Sequence, residues 1–299
     1  LMGVNALAGL ALVFPLVMLT QMLSAGAMGG AISAAVARSL GGGDTSRASG
    51  LTVAAWIIGI GFAAGSAVLM ALFGRTIFVA LGGGDTAVAA ALSYAGVFFP
   101  GCLAMWLCNG TLSVIRGTGN MGTPSVLLFV ASLGSIPLSG ALALGLVAIA
   151  LVVTGRAGLS MGGALGRLRG EMFRDILRVG IIASVNSVQS VLTIVLMVAL
   201  VGRFGTAALA GYGLGARLEF LMIPVVFGIG TAMTAMVGAN IGAGNTPRAL
   251  RVAWTGAFGA AVIVGGIGAV LAAVFVGVAC GTVVYGVVTA AAVRITRWR

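Results

Sequence analysis

Long apolar stretches follow one another along the chain, separated by short polar breaks, and each is long enough to be one or more membrane-crossing helices. The first runs from about Asn5 to Leu40 and stops at Gly41-Gly42-Gly43-Asp44. The second covers roughly Leu51 to Leu81 and stops at Gly82-Gly83-Gly84-Asp85, and a third extends from about Thr86 to Ile115. Further stretches cover Thr123–Thr154, Val179–Val201, Thr206–Ile241 and Val252–Val293. About 20 apolar residues of helix cross the hydrocarbon core. The runs are continuous rather than alternating, which predicts helices and not a barrel. Both early stops carry the hexapeptide Leu-Gly-Gly-Gly-Asp-Thr. Glycine there suits the left-handed end of one helix, and Asp the N-cap of the next. No Gly-Lys-Ser/Thr follows, so a phosphate-binding loop is not indicated.

The longest polar segment, Gly155 to Arg178, holds Arg156, Arg167, Arg169, Arg174 and Arg178 against Glu171 and Asp175. Leu168, Met172, Phe173, Ile176 and Leu177 fall near helical spacing within it. The pattern predicts an amphipathic helix on the cytoplasmic membrane surface, joining two halves. Three parts follow: an N-terminal helical lobe over residues 1–154, a linker over 155–178 and a C-terminal lobe over 179–299. The lobes are related. Ala6-Leu7-Ala8-Gly9 recurs as Ala208-Leu209-Ala210-Gly211, and the Leu40–Ala48 segment matches Ile241–Ala249. Ser33 and Thr234 keep the same offset of 201 residues. An internal repeat in a polytopic protein points to transport, because substrate sites form where two repeats face each other. This repeat is direct, so both copies should cross the membrane in the same direction.

Composition strengthens this picture and removes rivals. Of 299 residues, 60% are hydrophobic and 7% charged, where a soluble domain keeps about a quarter charged. Sixteen arginines, no lysine and five acids give a net charge of +11. The arginines sit mostly at the ends of apolar spans, as the positive-inside rule requires, rather than on a nucleic-acid-binding face. Absence of His excludes imidazole catalysis and His metal ligation, and absence of Lys excludes Schiff-base chemistry. Cys102, Cys108 and Cys280 have no metal-ligand spacing and read as small buried hydrophobes. No enzyme, metal or cofactor is expected.

In its repeated loops the chain resembles the multidrug and toxic compound extrusion (MATE) family of cation-coupled exporters. The matching residues are Gly41–Ala48, Gly242-Ala243-Gly244-Asn245-Thr246-Pro247-Arg248-Ala249, Ile115–Asn120 before Thr123-Pro124, and Ala208–Gly211. The resemblance implies an all-α fold of twelve helices in two six-helix lobes, and export of organic, mostly cationic, solutes driven by H⁺ or Na⁺. Three departures are expected. Leu1 looks like a cut, and Asn5 resembles the approach to the family's second helix, so the first helix and its coupling carboxylate are missing. Thr123–Thr154 offers 32 residues for two crossings that need about 40 plus a turn, so Gly134-Ser135-Ile136-Pro137 either turns a short re-entrant hairpin or kinks one helix. Against the family this resembles its fifth and sixth helices, the last two of the lobe, fused by a deletion. The 42 residues of Val252–Val293 resemble the ninth helix joined to the tail of the twelfth. At most eight crossings remain, with a cytoplasmic C-terminus.

Candidate functional residues are few. Glu219 is the one acid expected inside the membrane, where it would be functional or would partner an Arg such as Arg217. Tyr212 precedes it by seven residues, on the same helical face. Asn186, Gln189, Ser190 and Thr193 form one polar stripe, either lining a cavity or bonding to neighbouring helices. Gln21 and Asn109 read as interhelical bonds, and Gly26-x-x-x-Gly30 as a site of close helix approach. Asp44, Arg47, Arg116, Asn245 and Arg248 read as loop-fixing residues. Three functions compete on these grounds: a cation-coupled antiporter, a lipid-linked oligosaccharide flippase of related architecture, and an inert membrane remnant.

Overall fold

The computed structural model describes residues 4–81, 84–134, 140–156, 159, 161–202 and 225–269. Among these the fold is helical throughout, without strands. Helix α1 is Val4–Gln21 and α2 is Gly29–Gly41; a π-helical turn, Met22–Met28, joins them into one span. Helix α3 is Thr45–Ala80, α4 Asp85–Gly117, α5 Gly122–Gly134, α6 Gly140–Val153 and α7 Gly170–Gly202. Two further helices, α8 (Val225–Gly242) and α9 (Thr246–Ala269), follow. Six spans among the described residues are long and apolar enough to cross a membrane: α1 with α2, α3, α4, α7, α8 and α9.

Helix α4 is the centre of the N-terminal lobe. Its Ala91, Ala95, Phe99, Cys102 and Trp106 pack against Val13 of α1, Met28, and Ala63 and Met70 of α3. Phe62 of α3 stacks on Trp106 with ring centroids 5.1 Å apart. Farther along α4, Leu112 and Ile115 bury Ala148 and Val152 of α6, and Leu127 of α5 joins them. Leu127 lies midway along α5 and Val152 near the end of α6, so a single continuous helix would hold them about 37 Å apart. Their meeting on one patch of α4 shows that Thr123–Thr154 folds back as a hairpin. Its arms of 13 and 14 residues reach about 20 Å, short of the roughly 30 Å core.

Between α6 and α7 the structure differs from the surface helix expected over 155–178. Described residues of 155–169 form turns and one short 3₁₀ segment, Leu165–Arg167, and α7 begins at Gly170. The apolar stripe has a better partner than lipid headgroups. Met172 and Ile176 are buried against Ala31, Val36, Leu51 and Ala54 of α2 and α3, with Leu168, Phe173 and Leu177 packed around them.

The direct repeat is visible bond by bond. At the end of α2, Gly43 N donates to Leu40 O (3.0 Å) and Asp44 N to Ser39 O (2.9 Å), with Gly43 at φ 78°. At the end of α8, Gly244 N donates to Ile241 O (3.0 Å) and Asn245 N to Asn240 O (2.8 Å), with Gly244 at φ 72°. Both are Schellman motifs, which need a left-handed residue that glycine supplies without strain. Each then passes straight into a helix N-cap. Asp44 Oδ1 accepts from Arg47 N at 2.8 Å, and Asn245 Oδ1 accepts from Arg248 N at 3.2 Å. The second Leu-Gly-Gly-Gly-Asp-Thr copy behaves differently. There Gly84 occupies the cap position and Asp85 falls in the first turn of α4, where its charge faces the positive end of the helix dipole.

Helices α2 and α8 meet at these repeated ends. A β-carbon on Gly41 would collide with the Ala239 carbonyl, and one on Gly242 with the Arg38 carbonyl. Gly41 and Gly242 are equivalent positions in the repeat, as are Arg38 and Ala239. The two contacts are therefore a symmetric pair about a pseudo-two-fold axis. On that axis a β-carbon at Gly238 would stand 2.9 Å from its own counterpart, Ala37 Cβ. Close packing of backbones through small residues is how helices associate in lipid, where no hydrophobic force separates helix from solvent. The Gly26-x-x-x-Gly30 pair does not work this way, since β-carbons at both positions would enter open space. We expect Gly41→Val and Gly242→Val each to destabilise the purified protein by about 1–3 kcal/mol in thermal melts. Gly26→Ala should leave the melting midpoint within about 0.5 kcal/mol of wild type, since it overlaps nothing.

Candidate functional site

The residues singled out in the sequence separate into three places. Glu219 and Tyr212 lie outside the described residues, with Arg217 and the Ala208–Gly211 segment. Asn186, Gln189 and Thr193 are exposed along α7 and Ser190 is half-buried. The Ser190 hydroxyl donates to Asn186 O and that of Thr193 to Gln189 O, both at 2.9 Å. These two hydroxyls are thus satisfied by their own helix, while the side-chain amides of Asn186 and Gln189 make no hydrogen bond among the described residues. The loop residues gather at one end of the bundle. Asp44 and Asn245 cap α3 and α9, and the Arg47 guanidinium pairs with Asp175 of α7.

Arg116 is not in a loop. It occupies the last turn of α4, is 7% exposed, and holds its guanidinium 5.5 Å from the centre of the Phe227 ring in α8. A buried cation with no carboxylate beside it among the described residues needs other compensation. Arg116 Nε donates to Leu112 O and Nη2 to Ser113 Oγ, both at 3.3 Å, and the aromatic face supplies a cation–π contact. The polar chain continues inward. Ser113 Oγ donates to Asn109 O at 2.7 Å, and Asn109 Nδ2 donates to Ser24 Oγ at 2.8 Å. Ser24 belongs to the π-turn. Hydrogen bonds thus run from an irregular turn of the N-terminal lobe to Arg116, whose cation–π contact reaches a helix of the C-terminal lobe. Asn109 makes the interhelical bond expected of it, whereas Gln21 is exposed beside the π-turn.

Two grooves flank the α2–α8 contact. One, of about 400 Å³, lies between Ala34 and Arg38 of α2 and Gly230, Met233 and Thr234 of α8. The other, of about 410 Å³, lies between Ala37 and Gly41, the Gly117–Gly119 turn, and Ala235 and Met236. Ser33 of α2 is buried and its hydroxyl has no hydrogen-bond partner among the described residues, while its repeat counterpart Thr234 edges the first groove. The setting is apolar with a few fixed polar groups, the make-up common to small-molecule sites. Among the described residues no three His, Cys, Asp or Glu side chains cluster as metal ligands. Asn109→Leu should cost about 1–2 kcal/mol in chemical denaturation, because Ser24 is left buried without its donor. Adding Ser24→Ala to that variant should recover part of the loss.

Comparison with known proteins agrees with this architecture. The sequence profile of the MatE family matches residues 1–140 and 181–294. A protein of Shewanella oneidensis named FAD transporter is 23% identical over 273 residues, covering 83% of this chain and 60% of that protein. Among solved structures, an outward-facing multidrug resistance MATE family transporter of the MOP superfamily superposes with a TM-score of 0.70 at 21% identity, covering 95% of this chain and 66% of its own. A MOP superfamily transporter from Pyrococcus furiosus gives 0.69 at 20% identity, covering 85% and 61%. The chain spans about three fifths of the length of the FAD transporter it matches. Two stretches of family match, each carrying one copy of the repeated loop, fit the two lobes. The chain belongs to the MatE family of membrane transporters.

Proposed function

We propose that this chain moves an organic solute across the membrane by alternating access, its two lobes rocking about the α2–α8 contact. The observation that carries the reading is the symmetric pair Gly41–Ala239 and Gly242–Arg38. Two homologous lobes touching through bare backbone, with open grooves on both sides, have a contact that can part and re-form without breaking an ion pair, the Arg116–Phe227 stacking being the one charged contact it must give up among the described residues. The glycine-turn end faces the cytoplasm. Of the eleven arginines among the described residues, ten lie in or near the turns at that end, and only Arg75 lies toward the other. H⁺ or Na⁺ supplies the drive, with Glu219 as the coupling carboxylate and Tyr212 as a second site residue. Asn186, Gln189, Ser190 and Thr193 face the solute path from α7.

A second reading concerns the solute's charge. A cation would need an acid in its cavity, yet the described acids Asp44, Asp85, Glu171 and Asp175 all sit in turns or within the first two turns of a helix. Arg116 is the buried charge closest to the lobe contact, and one relative is named for the anionic dinucleotide FAD. Export of a fluorescent cationic dye and of FAD should therefore be measured side by side in proteoliposomes, with wild type and Glu219→Gln. Gradient-dependent movement of either solute, falling to protein-free background in Glu219→Gln, is the expected result. Movement of FAD alone would assign the anionic class. Retention of both solutes at background by the wild type would mean kinship without transport, and the remnant reading would stand.

A further inference from the structure

The α5–α6 hairpin covers one stripe of α4 only over the half nearer Gly117. Cys108, Leu112 and Ile115 lie on that stripe and pack with Ala148, Val152 and Leu127 of the hairpin. Helix α5 leaves from the turn after α4 and α6 returns toward it, so α6 runs parallel to α4. With Ala148 level with Leu112, Gly140, eight residues earlier, is level with Ala104. Leu127 on the same patch puts Gly134, seven residues farther along α5, within about one turn of that level. Both arms therefore end beside the middle of the 33-residue α4. Beyond them the stripe continues at helical spacing as Gly101, Val97 and Tyr94, and there it is bare: Val97 is 78% exposed. Neither groove beside the α2–α8 contact includes a residue of this stripe.

Polar groups collect on and below this bare face. Ser93 and Tyr94 are exposed, and their hydroxyls have no hydrogen-bond partner among the described residues. Pro100, also exposed, has no N–H to give the Gly96 carbonyl one turn back. The arms add more. A helix leaves its last four carbonyls and its first four amides without partners inside it, and α5 ends and α6 begins at this depth. Hydrocarbon satisfies none of these groups, and helix ends at membrane depth persist only inside protein or beside water. We propose that the space above the hairpin is a water-filled vestibule, open to the face opposite the arginine-rich turns and floored near mid-membrane by the ends of the two arms. It lets a polar organic solute reach that depth along α4 while the α2–α8 contact stays closed. The vestibule is defined by the hairpin's length and holds whether or not the chain transports.

The test is cysteine labelling of the full chain, its native cysteines replaced, with a membrane-impermeant maleimide applied to intact cells and to inverted vesicles. Gly84→Cys, in the α3–α4 turn, marks the preparation in which the vestibule side meets the reagent. Maleimide attacks the thiolate, so a thiol bathed in lipid stays unreactive. In that preparation Val97→Cys and Gly101→Cys should label within about tenfold of the Gly84→Cys rate. Val97 is exposed and a β-carbon at Gly101 meets nothing within 4 Å, so neither change disturbs packing. Leu69→Cys is the control. Phe62 of α3 stacks on Trp106, which sets the exposed Leu69 within about a turn of the level of Val97. It points about 140° around α3 from Trp56, which borders the hairpin. Leu69→Cys should label at least about a hundredfold more slowly than Val97→Cys. The proposal is overturned if Val97→Cys labels as slowly as Leu69→Cys, because lipid then fills the space, or if the two label equally fast, because water access is then not confined to it. It is equally overturned if oxidation joins Val97→Cys chains into a dimer that resists labelling, because a second copy then covers the stripe.

Discussion

Backbone-to-backbone contact between α2 and α8 is the constraint on which the arrangement of the two lobes depends. In a bilayer the lipid tails are as apolar as leucine, so burial of large side chains does not drive one lobe onto the other. What holds them is close packing, and that is possible only where side chains are absent. Gly41 and Gly242 allow each helix to lean on a carbonyl of the other, and the Ala37–Gly238 pair closes the axis between them. The same glycine-rich ends make the turns into α3 and α9. Interface and turn are thus one piece of sequence serving two purposes. This explains why both copies keep the small residue, the left-handed glycine and the capping side chain together.

Inside the N-terminal lobe the opposite rule applies. Helix α4 presents large side chains in several directions and organises α1, α2, α3 and α6 around it, while a thread of polar groups runs along its last turns. Asn109, Ser113 and Arg116 are each satisfied by a neighbour, so the thread survives burial. Its two ends are the informative places. One is the π-turn at Ser24, an irregularity of the kind that accumulates at functional sites. The other is Phe227 on the far lobe. A shift of α8 relative to α4 would be felt at the π-turn through three hydrogen bonds.

Much of this was legible in the amino-acid pattern. Helix type, the polar breaks, the direct repeat and the Asp44 and Asn245 caps all follow from local chemistry, which turns on few residues. The offset of 201 identified the repeat, whereas the contact between its two copies, and the atoms that touch there, depend on helix packing that periodicity does not encode. Other features needed the third dimension. The stripe Leu168–Leu177 has the spacing of a surface helix, but a partner in α2 and α3 outcompetes the headgroup layer for it. Arg116 looked like a loop cation because Gly117 and Gly119 follow it; only the packing of α8 reveals a buried guanidinium over an aromatic ring. The 32-residue stretch was ambiguous between kink and hairpin, and the meeting of Leu127 with Val152 on α4 decides it.

The most direct test of the account is a disulfide across the pseudo-two-fold axis, with Ala37→Cys and Gly238→Cys introduced into a chain whose native cysteines are replaced. These β-carbons lie about 3 Å apart, close to the 3.5–4.5 Å that a disulfide spans after a small adjustment. With a protease site placed in the 155–169 linker, mild oxidation in membranes should keep the two halves joined on a non-reducing gel and release them on reduction. Halves that separate without reductant, under conditions where both cysteines are shown to be reactive, would contradict the symmetric contact and the lobe arrangement built on it.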